Sequence, residues 1–187
     1  MAQQLIDPRV SKMKFDREVN VLCKQASDLR SRGWIIESIE YPVVRVTFLV
    51  TTIRPVIAPF TVEVDFTNYN FLPLSLRFLD PISFLPTSID SIRLTENGPQ
   101  KVIVHGHPET KEDFLCLPGV LQYHSHPQHS GDSWDLHRYS GKGKLYSLLD
   151  YTWLYCVRTI SGFQIPLPNI VVNGAYLAMG LINEQVQ

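Results

Sequence analysis

One stretch of the chain concentrates its reactive side chains. All six histidines fall between His105 and His137, and Cys116 lies among them. The stretch reads HGHPETKEDFLCLPGVLQYHSHPQHSGDSWDLH, so a thiol, imidazoles, carboxylates and turn-forming Pro and Gly are interleaved. Two chemistries use that set. In the first, a Cys116 thiolate would attack a carbonyl carbon while an imidazole moves the proton, although on composition alone a buried structural thiol is the commoner case. Asp132 and Asp135 would then orient an imidazole or ease deprotonation of an incoming amine. In the second, His124 and His126, two residues apart, share a zinc ion, and His129 or Cys116 completes its tetrahedron. A catalytic zinc and a purely structural one both remain open on spacing alone.

Such residues act only if regular elements hold them. From Ser11 to Arg32 the apolar positions Phe15, Val19, Leu22, Ala26 and Leu29 recur at helical spacing, and Gly33 follows as a stop. Cys23, next to Leu22, is expected in the core. Three β-rich segments follow, Trp34 to Tyr41, Val43 to Thr52 and Phe60 to Phe66, divided by Pro42 and by the Pro55 to Pro59 turn. With Leu74 to Leu79 they predict a four-stranded antiparallel meander. Residues 80–100 show no sustained periodicity and are expected to form an insertion or long loop. Lys101 to Val104 predicts a short strand leading into the histidine stretch, and Lys144 to Val157, rich in Leu, Tyr and Trp, a buried helix that packs Cys156. Trp34, Tyr69 and Trp153 are expected in the core rather than as contact residues. Residues 1–10 and 183–187 are expected to be flexible, with a short strand or loop around Pro166 and Pro168.

The 187 residues, 44% hydrophobic and 19% charged, suit one α+β domain spanning 1–187. A formal net charge of −1 offers no clustered excess of cations for nucleic acid or an anionic membrane. No run approaches the roughly 18 apolar residues of a membrane span, and MAQQLIDPRV lacks a signal-peptide core. Three widely spaced cysteines argue against a disulfide framework. A cytoplasmic protein is the expectation.

The run Tyr69-Asn70-Phe71-Leu72-Pro73-Leu74-Ser75-Leu76-Arg77-Phe78 resembles the Tyr-Pro-Phe-x-Pro-Pro-x-Val-x-Phe pattern of ubiquitin-conjugating enzymes, with Asn70 and Leu74 in place of two prolines. Further on, His107-Pro108-Glu109 is similar to that family's His-Pro-Asn signature, and Phe114-Leu115-Cys116-Leu117 to the segment bearing its catalytic cysteine. His107 and Cys116 are nine residues apart where the family has ten. The order of helix, strand pattern, His-Pro, Cys-Leu and helix spans roughly residues 11–157, and its departures, the 80–100 insertion, the long His-rich loop and a short tail, are similar to divergent prokaryotic relatives.

The resemblance implies a UBC-like fold with an irregular active-site region. It also implies transfer of a ubiquitin-like modifier through a Cys116 thioester, with an activating enzyme and a protein target as partners. Prokaryotic relatives of that family occur in antiviral systems, where some act on a nucleotide cyclase. In the family the signature asparagine donates a side-chain N–H; an ionised Glu109 cannot. Either that role is lost, or it passes to an imidazole, His124 or His126 ahead of His129, while His107 is expected to bond backbone within a turn. Two alternatives stand beside transfer. His124-Ser125-His126-Pro127 resembles the His-x-His-Pro of zinc-dependent isopeptidases, although Trp134 and His137 occupy the places of that family's serine and aspartate. The other is a catalytically silent binding module of the same fold.

Overall fold

The computed structural model describes residues 3–51, 58–89, 92–94 and 102–163. Helix α1 runs Pro8–Lys24, entered through the Asp7 carboxylate, which accepts the Arg9 N–H. The expected single helix is two: at Gln25 the chain leaves helical geometry, and α2, Ala26–Ser31, follows. Gly33 ends the unit with φ +80, a conformation that favours glycine. On α1, Ser11, Phe15, Glu18 and Leu22 turn inward. Cys23 is exposed, which corrects its expected place in the core. Each helical step rotates about 100°, so the residue after a buried leucine leaves the stripe. Residues 3–10, expected to be flexible, carry hydrogen bonds to the rest of the chain. Asn68 donates to the Gln3 carbonyl at 2.7 Å and accepts the Leu5 N–H at 2.7 Å, and α1 already begins at Pro8.

Strands β1 (Trp34–Glu40), β2 (Val43–Val50), β3 (Ala58–Asp65) and β4 (Ser75–Leu79) form the antiparallel sheet in that order. Period-two alternation decides its faces. Val44, Val46, Phe48, Val62, Val64, Leu76 and Phe78 lie in the core, with Val46 opposite Val62 and Val62 opposite Phe78. On the other face Arg45, Glu63 and Arg77 stand in register, and Glu63 bonds both guanidinium groups, at 2.7 and 2.6 Å. Helix α5, Leu145–Tyr155, buries Leu145, Leu148, Leu149 and Thr152, while the buried Glu18 carboxylate of α1 accepts the Leu145 N–H at 3.3 Å. An anion at that helix start offsets its unpaired N–H groups. Cys156, Trp34 and Tyr69 are buried as expected; Trp153 is half-buried.

The expected insertion contains structure of its own. Asp80 closes a turn by accepting from Ile82 and Ser83, and β5, Ile92–Leu94, pairs antiparallel with β8, Ile160–Phe163. The predicted strand at 101–104 shortens to β6, Ile103–Val104, paired with β7, Phe114–Leu115. The Asp113 carboxylate accepts from Ile89 N–H and Ser88 Oγ at 2.9 Å and from Gly106 N–H at 3.1 Å, tying the turn after β4 to the turn around His107. The expected features at Pro55, Pro166, Pro168 and 183–187 lie outside the described residues. Among the described residues, no helix is long and apolar enough to cross a membrane.

Candidate active site around Cys116

Cys116 is the first residue after β7, and its N–H donates to the Val102 carbonyl at 2.7 Å. The chain then turns through Pro118 and Gly119 into α3, Leu121–Ser125. The start of α3 is bound to the foot of β4: Leu121 N–H donates to the Leu74 carbonyl at 2.8 Å, and the Gln122 amide to Ser75 Oγ at 2.8 Å. A single 3-10 turn, Pro127–His129, and the short helix α4, Trp134–His137, complete the loop. The consequence is a reversal that returns His129 to the cysteine. His129 Nε2 lies 3.2 Å from Cys116 Sγ, and both residues are half-buried. Burial pushes the Cys116 thiol up from its ordinary range, so the protonated form prevails near neutral pH. A base within hydrogen-bond reach therefore matters to its reactivity.

His124 is bonded elsewhere. Its Nδ1 donates to the Asp132 carbonyl at 2.8 Å, and its Nε2 accepts the Gly119 N–H at 3.0 Å. Both nitrogens are spent on backbone, whereas His129, expected after His124, is the imidazole that faces the sulfur. His124 instead staples the turn after the cysteine to the loop that carries His129. Gly119 suits this turn because its φ is +100, and a Cβ there would come within 2.8 Å of the Lys142 carbonyl.

Burial is the foremost influence on His124 and holds it below its ordinary value. The unfolded chain thus takes up this proton first as pH falls. The stabilising contribution is fully present above about 6.5 and is lost as pH falls through the lower folded value. Thermal denaturation between pH about 7.5 and 5.5 is expected to show melting temperature falling with acid, with a flatter slope in His124→Gln. Identical slopes would show that His124 protonation does not drive the loss.

His126 accepts the Gln128 N–H on Nδ1 at 3.3 Å and packs its ring on Phe114, with ring centres 5.6 Å apart. His126 sits 5.7 Å, ring to ring, from His129, but the imidazole that reaches the sulfur is His129. His107 is fully buried. Its Nδ1 accepts the Glu109 N–H at 3.2 Å, which leaves Nε2–H to donate to the Gln122 carbonyl at 3.1 Å. The His-Pro turn is thereby pinned to α3. Glu109 is exposed in that turn and contributes its N–H to it.

Asp132 and Asp135 part company. Asp135 is exposed and pairs with Arg138, the residue after α4, at 3.0 Å. Asp132 is a junction: Oδ2 accepts the Tyr123 hydroxyl at 2.8 Å, Oδ1 faces His137 Nε2, the carbonyl accepts from His124, and the N–H donates to the His129 carbonyl at 2.9 Å. The His137 imidazole, then the Tyr123 hydroxyl, hold its carboxyl below the usual range. Tyr123 stacks on His129, rings 19° from parallel and 3.9 Å between centres. Sequence reasoning missed Tyr123; an aromatic six residues before His129 at the start of the His-rich loop was the available signal.

As zinc ligands, His124, His126 and His129 would require His124 to surrender a backbone bond. Among the described residues, no group of three or more His, Cys, Asp or Glu is arranged to hold a metal ion.

These features define an α+β protein in which a helix-backed, four-stranded meander carries a partly exposed cysteine–histidine pair. The chain belongs to the Y4jH-like family, whose model matches residues 6–110 and 94–160. It is 31% identical over 185 residues to "Uncharacterized protein y4jH" of Sinorhizobium fredii (strain NGR234), covering 88% of this chain and 90% of that protein. The second matched segment spans Cys116, Tyr123, His129 and Asp132.

Proposed function

We propose that this protein transfers a ubiquitin-like modifier through a thioester on Cys116, with His129 as the proton acceptor, in a UBC-like arrangement. The observation that carries the reading is the 3.2 Å approach of His129 Nε2 to a half-buried Cys116 Sγ. The ordered sequence motifs and the helix-and-meander frame support it. In loading, Sγ attacks the modifier's carbonyl carbon in its thioester on an activating enzyme. The new S–C bond forms, the donor's S–C bond breaks, and the thiol proton passes to His129 and on to the departing thiolate. In discharge, an amine of the target attacks the same carbon, the Cys116 S–C bond breaks, and the amine's proton is taken up by the imidazole or the released sulfur. The partners are the modifier, an activating enzyme and a protein target in the cytoplasm. A bacterial antiviral setting with a nucleotide cyclase as target is the version that the resemblance implies.

Incubation with a candidate modifier and its activating enzyme, followed by non-reducing electrophoresis, tests the reading. The expected result is a thiol-sensitive adduct that disappears in Cys116→Ala and persists in Cys23→Ser. No adduct with any cognate pair would remove the transferase, and unimpaired cellular function in Cys116→Ala would indicate a silent binder. About one zinc per chain, lost in His126→Ala together with chelator-sensitive cleavage of conjugates, would establish the isopeptidase instead.

A further inference from the structure

The cysteine–histidine pair poses a positioning problem. An imidazole on a surface 3-10 turn can rotate about two side-chain bonds, and among the described residues no carboxylate bonds the His129 ring. What faces it is Tyr123. The rings lie 3.9 Å apart and 19° from parallel, a stacked contact that restrains rotation of the imidazole. Tyr123 is itself anchored, since its hydroxyl donates to Asp132 at 2.8 Å. Burial and the Asp132 carboxylate push that hydroxyl up to about 12, so it remains a donor. Asp132 is fixed through its own backbone as well, to the His129 carbonyl and to His124 Nδ1. The ring against which His129 stacks and the backbone from which it projects are thus referred to one aspartate.

We propose that Tyr123, held by Asp132, is a positioning residue that keeps the His129 imidazole on the Cys116 sulfur. The proposal rests on the cysteine–histidine reading, yet it concerns thiol reactivity and needs no modifier. The physical reason is geometric: a base displaced by about 1 Å from its acid can cost two orders of magnitude in rate. Tyr123 touches no reacting atom. It acts through His129.

The test is alkylation of Cys116 by iodoacetamide in the full chain carrying Cys23→Ser, followed by mass spectrometry across a range of pH. In that reaction the S–C bond forms, iodide leaves with the electron pair of the C–I bond, and the thiol proton passes through His129 to solvent. Tyr123→Leu is expected to slow alkylation near neutral pH by about ten- to a hundredfold. Its profile should move toward that of His129→Gln. Combined with His129→Gln it should add no further loss, because the base it positions is already gone. Tyr123→Phe keeps the stacked ring and removes only the tether to Asp132. It should fold as the parent does and show a smaller loss of the same kind.

A wild-type rate and profile in Tyr123→Leu beside a slow His129→Gln would overturn the proposal. So would equal slowing by Tyr123→Leu in both backgrounds, which would signal a packing effect, or an unaffected rate in His129→Gln. Failure of the transferase reading appears elsewhere, as an absent modifier adduct with the alkylation pattern intact.

Discussion

His129→Gln is expected to lower the rate of Cys116 loading near neutral pH by about 10²–10⁴-fold, the usual contribution of a positioned general base. Glutamine retains hydrogen-bonding capacity and much of the side-chain volume but cannot take the thiol proton. The effect should be large because burial raises the Cys116 thiol, leaving little thiolate to react unaided. A pH series provides the check. As the solution becomes alkaline, the thiol ionises without help, so the gap between variant and parent should narrow steadily. A gap that stays constant with pH would assign His129 to binding rather than proton transfer. His126→Gln is expected to lose far less than His129→Gln, since the ring on the sulfur is untouched. Equal losses in both would return the role to the group of imidazoles as a whole.

Gly143→Ala is expected to destabilise the fold by about 1–3 kcal/mol, the cost of forcing extra volume into a packed site. A Cβ at residue 143 would lie 2.3 Å from Trp134 Cη2 and 2.8 Å from Cζ3, far inside van der Waals contact. Trp134 has little freedom to retreat. It is buried, and its indole N–H donates to the Asn70 carbonyl at 3.1 Å, linking α4 to the turn before β4. For a chain of this size the loss amounts to a fall of a few degrees in melting temperature. Trp134→Leu in the same chain should relieve the clash, so the double variant should be more stable than the two single losses summed. Strict additivity would show that the alanine acts on the backbone rather than on the indole.

The frame was legible because its signals are local. Phe15 and Leu22 at helical spacing announced the first helix, and alternation through Val44, Val46 and Phe48 announced a strand with one buried face. The break at Gln25 carried no such signal, whereas the exposure of Cys23 follows from the helical rotation that takes it off the Leu22 stripe. β5 and β8 pair across more than sixty residues of sequence, a partnership that short-range periodicity cannot report.

The candidate site divides along the same line. By itself the sequence determined the inventory: where the thiol lies, which stretch holds the imidazoles, that His107 belongs to a Pro-containing turn, and that a helix and meander precede them. Only the tertiary structure decided which imidazole meets the sulfur. His124, His126 and His129 are alike in side chain and close in sequence, so composition and spacing cannot rank them. The ranking comes from the reversal after Gly119, which spends both nitrogens of His124 on backbone and delivers His129 to within 3.2 Å of Cys116. A hydrogen bond depends on distance and direction to a few tenths of an ångström, and those quantities exist only once distant segments of chain have packed.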